Sequence, residues 1–260
     1  MADSLDLTGK TAIVTGGTRG VGRGIAERLL EAGVHVVVCG RKPPEQMPAG
    51  GSNQASFVEA DVRDVDHIAR VIAHAQERHG SLDILVNNAG GAPFADAATV
   101  SPRFSESIIR LNLIAPLNFA QQANRVMQLQ PGGGCIINIA SVSGVRPSPG
   151  TAAYGAAKAG LLNLTTSLAV EWAPKVRVNA ITAGPILTEQ AEMHFGDAAG
   201  VERVAATIPL RRLGTPRDVG DVCVFLASPL AAYVSGASLL VHGGGERPLF
   251  LDAVSASDGS

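Results

Sequence analysis

The chain has 260 residues, 46% of them hydrophobic and 17% charged, and a formal net charge of −2. That length fills one substantial core and no shift in composition marks a boundary, so residues 1–260 read as a single domain. The near-balanced charge without a basic cluster argues against nucleic acid as a main partner, and no apolar run reaches membrane-spanning length.

Residues 1–6 lack the basic start and apolar centre of a secretion signal, so a cytoplasmic location is expected. The first strand pattern is Thr11 to Thr15, followed by Gly16-Gly-Thr-Arg-Gly20-Val-Gly22 and a helical pattern from Arg23 to Ala32. A strand, a glycine-rich turn and a helix N-terminus make an anion site, because glycine admits a pyrophosphate close to the backbone and the helix dipole favours negative charge. The spacing is G-x-x-x-G-x-G, not the G-x-G-x-x-G of the general dinucleotide fingerprint. A second strand, His35 to Cys39, leads into Gly40-Arg41-Lys42. No carboxylate stands there for ribose hydroxyls, whereas Arg41 and Arg19 offer cations to a 2′-phosphate, which points to NADP(H) ahead of NAD(H).

Lys42 to Gln54 holds Pro43, Pro44, Pro48, Gly50 and Gly51 and does not suit a full helix. A third strand, Ser56 to Ala60, ends at Asp61-Val62, and a helix follows from Val65 to His79 whose His67, His74 and His79 read as surface residues. The fourth strand, Asp83 to Asn87, runs into Asn88-Ala89-Gly90, and beyond it Phe94 either touches substrate or packs locally. A long helical stretch from Pro102 to Met127 carries Asn112 in an apolar run, where its side chain needs a partner.

Cys135 to Ala140 is a fifth apolar strand with Ser141 at its end; Gly144 to Gly150 is a loop, and Ala152 to Trp172 a helix with Thr151 as N-cap. Tyr154 and Lys158 share one helical face. A tyrosine with an ordinary pKa of about 10 is a poor acid or base near neutrality, and an adjacent ammonium favours its phenolate. Ser141 could donate to a carbonyl oxygen while Tyr154 delivers the proton. The stretch alone equally suits a packed tyrosine and a solvated lysine.

Two further strands, Val176 to Ile181 and Ser238 to Val241, complete the series. Between them lie Gly184 to Thr188, a stretch over about 188–210 with Met193, His194 and Phe195, and the run from Asp221 to Ala227. The tail, 246–260, has no clear period. Cys39, Cys135 and Cys223 lie unpaired in apolar stretches and read as small buried hydrophobes, and no histidine pair has metal-ligand spacing, so no metal is expected. Strands alternating with helical segments, each strand apolar without alternation, predict an α/β doubly wound (Rossmann) parallel sheet of about seven strands with helices on both faces. Ligands then bind outside the carboxyl ends of the strands.

From Leu7 to Gly244 the chain resembles the short-chain dehydrogenase/reductase family, in the branch with a T-G-x-x-x-G-x-G turn and a Y-x-x-x-K pair. The resemblance implies catalysis by Asn112, Ser141, Tyr154 and Lys158, with Lys158 depressing the Tyr154 pKa and binding nicotinamide ribose, and the Asn112 carbonyl holding a water in the proton path. It implies dinucleotide contacts from Gly16, Thr18, Arg19, Gly20, Val21, Gly22 and Arg41, from Asp61 and Val62 at the adenine, from Asn88, Ala89 and Gly90, and from Gly184, Ile186 and Thr188. Two positions depart from the family's pattern: Ala183 stands where Pro is expected, which suggests a looser loop, and His242 where Asp is usual. The resemblance further implies a substrate lid over about 188–210, a closing helix at Asp221 to Ala227, and a homo-oligomer, dimer or tetramer, built on the helix from Ala152 to Trp172. The expected activity is NADPH-dependent reduction of a small-molecule carbonyl, with 3-oxoacyl thioesters leading, or oxidation of a steroid, sugar or polyol alcohol. The spacing of Tyr154 and Lys158 disfavours an enoyl reductase. A non-catalytic NADP-binding scaffold or redox sensor is the rival from another class, and the complete catalytic set disfavours it.

Overall fold

Strands without a polar face must be covered from both sides, and the computed structural model, which describes residues 5–189, 195–246, 248 and 250, meets that requirement. Strands β1 (Thr11–Thr15), β2 (His35–Gly40), β5 (Ser56–Glu59), β6 (Ile84–Asn87), β7 (Gly134–Ser141), β8 (Val176–Ala183) and β9 (Ser238–Val241) form one sheet in the order β5-β2-β1-β6-β7-β8-β9. Every pairing in it is parallel. The chain builds outward from β1 through β2 to β5, returns to the other side of β1 with β6, and continues to β9. The order therefore reverses between β1 and β6, where an open α/β sheet leaves a crevice at its carboxyl edge.

Alternate residues of each strand serve opposite cores. Ala12 and Val14 of β1 join Ile25 and Leu29 of α1 (Gly20–Glu31) and Val219 and Cys223 of α7 (Pro216–Ala227). Ile13 between them turns to the other face, with Ile68 and Val71 of α2 (Val65–His79) and Phe119 and Ala123 of α4 (Ala115–Leu129). Helices α1 and α7 approach so closely that a Cβ at Gly24 would lie 2.3 Å from Pro216 Cβ. The three cysteines are buried one by one, Cys39 in β2, Cys135 in β7 and Cys223 in α7, and burial raises each thiol pKa, that of Cys39 to about 12.

The Pro/Gly-rich stretch after β2 forms a hairpin of β3 (Ala49–Gly50) and β4 (Asn53–Gln54), with no helix in that crossover. A single helix over Pro102 to Met127 is not what forms. Helix α3 (Pro102–Ile109), capped by Ser101, passes through a π-helical turn at Arg110–Ile114 into α4. Helix α5 (Ala152–Glu171) starts where expected, but the Thr151 hydroxyl pairs with Ser148 Oγ at 2.6 Å and caps nothing. The α2 histidines are also more than surface residues. His67 Nδ1 accepts from Asp61 N, His74 pairs with Ser56, and the His79 ring stacks on His35 with centroids 4.6 Å apart.

A buried polar relay crosses the sheet. Asn87 Nδ2 donates to Pro116 O and to Asn138 Oδ1, Asn138 Nδ2 donates to Thr165 Oγ1, and Thr165 donates to Leu161 O, tying β6 and β7 to α4 and α5. These residues are 0–3% exposed, so a lost partner is not replaced by water. Asn138→Ala is expected to lower unfolding free energy by roughly 2–4 kcal/mol. A urea titration checks this, and the midpoint should fall with an unchanged slope.

Candidate active site

The crevice begins where β1 and β6 part. Thr15 Oγ1 accepts from both Asn88 N and Ala89 N at 2.9 Å, and Asn88 Nδ2 donates to Thr15 O at 2.9 Å. The glycine turn is pressed against this clamp. Gly16 sits at φ +63, and a Cβ at Gly22 would lie 2.4 Å from Asn88 Nδ2 and from Gly16 O, so no larger residue fits. Helix α1 starts at Gly20, inside the turn, so Gly20, Val21 and Gly22 form its first turn. Its N-cap residue, Arg19, is extended and supplies no side-chain acceptor; Gly20 N–H instead donates to Glu189 Oε1 at 2.9 Å. Thr18 faces the end of β2, its Oγ1 being 3.5 Å from where a Gly40 Cβ would stand, and Arg19 and Arg41 are exposed there.

Asp61, just past β5, is gripped by Arg63, whose Nε and Nη2 donate to the two carboxylate oxygens at 2.9 and 2.6 Å. This ion pair, with Arg41 also contributing, holds the Asp61 pKa down to about 2. Val62 beside it is buried. Nothing in the spacing of Asp61 announced Arg63 as its partner.

Strand β7 delivers Ser141, and α5 delivers Tyr154 and Lys158 to the same point. The Ser141 hydroxyl accepts from Ser143 N at 3.2 Å and lies near enough to the Tyr154 phenol to favour its phenolate. Lys158 Nζ donates to Ile139 O at 2.7 Å, one residue-pair down β7, and stands 5.6 Å from the Tyr154 ring centroid. Lys158 is only 3% exposed, and burial lowers its pKa to about 8. The Tyr154 pKa is raised by its own burial, with the Ser141 hydroxyl working against the rise. The expected depression of Tyr154 by Lys158 is therefore absent in this geometry, because the ammonium is aimed at a carbonyl and is itself short of solvation.

Asn112, fully buried in the π-helical turn, is tied to Gly91 and Ile108 by its side chain. Its Oδ1 accepts from Gly91 N at 2.8 Å, and its Nδ2 donates to Gly91 O and Ile108 O. A Cβ at Gly90 would meet Asn112 Oδ1 at 2.5 Å and Lys158 Nζ at 3.4 Å, so Asn112, Gly90 and Lys158 converge. Wide turns of this kind recur at functional positions. The sequence carried the need for a partner at Asn112 but no sign of a π turn.

Beyond β8, Ile186 bridges Gly214, Leu187 N donates to Gly214 O, and Gly214 N donates to Pro185 O. Ala183 opens no looser loop; it is the last residue of β8 and pairs with both Ser141 and Val241. An alanine retains the N–H that proline lacks, so β8 can run to its end. His242 lies on Gly184, where a Cβ would meet His242 Cβ at 2.6 Å. Two clefts flank Ser141 and Tyr154. One is lined by Pro93, Phe104, Ile108, Thr151 and Tyr154. The other, the larger, is lined by Val142, Val145, Pro185, Ile208, Leu240 and His242, with the Arg146–Glu246 ion pair beside them. Phe94 lies against the backbone of Gly150 while remaining 82% exposed. Within the lid stretch, α6 (Ala198–Thr207) is formed and Phe195 is partly buried; Met193 and His194 fall outside the described residues, as does most of the tail.

A family model described as enoyl-(acyl carrier protein) reductase matches residues 16–246. The L-rhamnose 1-dehydrogenase (NAD(P)(+)) of Azotobacter vinelandii is 37% identical over 249 residues, covering 92% of this chain and 97% of that protein. Oxidoreductase UcpA of Escherichia coli is 34% identical over 254 residues, covering 93% and 96%. Among solved structures, the ligand-free aldohexose dehydrogenase of Thermoplasma acidophilum superimposes with a TM-score of 0.85 at 31% identity, covering 92% of this chain and 94% of that one.

The lowered pKa of Lys158 makes stability depend on pH. Between pH 8 and 10.5 the unfolded chain keeps a proton that the folded chain has released, so this residue's contribution rises with pH and its burial penalty is fully present below pH 8. Unfolding of wild type and Lys158→Met at pH 7.5 and 10.5 checks the sign. Wild type should gain roughly 3 kcal/mol on the variant across that window.

Proposed function

Because the chain belongs to the short-chain dehydrogenase/reductase family, we propose that it moves hydride between NADP(H) and a secondary alcohol or carbonyl carbon of a sugar or polyol. Family membership supplies the coarser part, an oxidoreductase of CH–OH and C=O groups that uses a nicotinamide dinucleotide. The observation that carries the reading is the meeting of Ser141, Tyr154 and Lys158 at the carboxyl end of β7. The glycine turn suits a dinucleotide: it sets the N-terminus of α1 against Asn88 at the crevice, where backbone amides and the helix dipole favour a phosphate. NADP(H) is favoured by exposed Arg19 and Arg41 and by the lack of an acid after β2.

When bound, the dinucleotide supplies or takes the hydride. Ser141 and Tyr154 hold the substrate oxygen between them, and Tyr154 gives its proton in reduction or takes one in oxidation. Burial keeps Tyr154 protonated near neutrality, which readies it as an acid; oxidation needs the phenolate and is helped by rising pH. Lys158, close to losing its own proton, returns one to Tyr154 and holds the nicotinamide ribose. Asn112 fixes Gly91 and with it the path of Asn88, Ala89 and Gly90 along the dinucleotide. Asp61 and Val62 take the adenine, and Gly184, Ile186 and Thr188 the carboxamide end.

The substrate class is supported by two relatives, one named for L-rhamnose and one for aldohexoses. Reduction of a 3-oxoacyl thioester is the second reading, favoured by the apolar lining of the larger cleft at Val142, Val145, Ile208 and Leu240. Initial rates with L-rhamnose and D-glucose plus NADP⁺, set against a short 3-oxoacyl thioester plus NADPH, separate the two. Binding of the dinucleotide without turnover of any of them would favour a scaffold.

In whichever assay turns over, Tyr154→Phe should lower kcat about 10²- to 10⁴-fold and leave the Kd for the dinucleotide within about twofold. Arg41→Ala should weaken NADPH about tenfold while leaving NADH nearly unchanged, measured by fluorescence titration. Equal loss for both would remove Arg41 from 2′-phosphate recognition.

A further inference from the structure

The amide that opens α1 is already engaged. Gly20 N–H donates to Glu189 Oε1 at 2.9 Å, between residues 169 positions apart. Helix α1 has no side-chain cap and no acid in its first turn, so its positive end draws an anion from the far end of the chain. The chain dictates this placement. Pro185 to Leu187 is tied to Gly214, and Thr188 follows directly, with its Cγ2 3.7 Å from where a Gly20 Cβ would stand. Glu189 Oε1 lies 3.9 Å from the same point, so Thr188 and Glu189 together cover this side of the turn.

A carboxylate and a phosphate are both anionic acceptors, and one N–H makes one good hydrogen bond. We propose that Glu189 is an internal competitor for the pyrophosphate of the dinucleotide: its carboxylate holds the anion position at Gly20 and leaves when a phosphate oxygen takes that amide. The proposal rests on the reading that the glycine turn receives the dinucleotide. Self-occupation lowers the observed affinity in proportion to the fraction of molecules whose site is filled by Glu189. It also makes loading an exchange of one anion for another, so the helix end is never left without a partner. The same exchange frees the first residue beyond Thr188, at the entrance to the lid stretch.

Calorimetric titration of NADPH and NADH into wild type, Glu189→Ala and Glu202→Ala tests this, together with the ¹⁵N–¹H resonance of Gly20 in the cofactor-free proteins. Glu202 is an exposed carboxylate of α6, so its removal controls for net charge alone. The expected result is a Kd about three- to tenfold lower for Glu189→Ala, a wild-type Kd for Glu202→Ala, and a displaced Gly20 resonance only in Glu189→Ala. Unchanged or weaker binding by Glu189→Ala, or an equal gain in Glu202→Ala, overturns the proposal while leaving the dinucleotide reading intact. If no protein binds either dinucleotide, that reading falls and takes the competitor role with it.

Discussion

The hydroxyl of Thr15 accepts from two consecutive amides, Asn88 and Ala89, at the point where neighbouring strands send the chain in opposite directions. Parallel strands part there because their crossovers go to opposite faces, and parted backbone leaves polar groups without ladder partners. Thr15 and Asn88 satisfy those groups with side chains. The gap between β1 and β6 thereby acquires a fixed width, and the glycine turn, the first turn of α1 and the Asn88–Gly90 segment are set against it.

The chemistry at the end of β7 shows what burial does to three groups held together. Lys158 finds one carbonyl, Ile139, where water would have offered several acceptors, and its ammonium is weakened as a result. Tyr154 is pushed toward the neutral phenol by the same lack of water. Two groups whose ordinary pKa values nearly coincide are thus driven in opposite senses, the phenol holding its proton more tightly and the ammonium less. Proton relays depend on such ordering, since a donor must hold its proton until the acceptor develops charge.

Much of this was legible in the sequence because both-face burial writes a strand as an uninterrupted apolar run. All seven strands of the main sheet were expected at their observed places, and the Pro/Gly-rich crossover after β2 was expected to lack a full helix. The meeting of Ser141 with Tyr154 and Lys158 was legible because Ser141 ends a strand and the other two share a face of the helix that follows it. What escaped was set by tertiary contact. The strands of the β3–β4 hairpin have two residues each, too few for any period. The π turn at Asn112 is a one-residue change in hydrogen-bond reach that no pattern of side chains marks. The Thr151 hydroxyl pairs with Ser148 and leaves the first amides of α5 without a side-chain cap, a choice of partner that spacing cannot rank. Arg63 on Asp61 and Glu189 on Gly20 are pairings of charged groups with many conceivable partners.

The three cysteines close the account in another way. Each thiol is enclosed and held in its protonated, unreactive form, in β2, β7 and α7 respectively. A thiol reagent meets them only when the surrounding structure opens, and their elements lie in both cores of the molecule. The native chain therefore carries its own clock: under a reagent that outpaces reclosing, the pace at which its thiols become modified is the pace at which its interior is exposed.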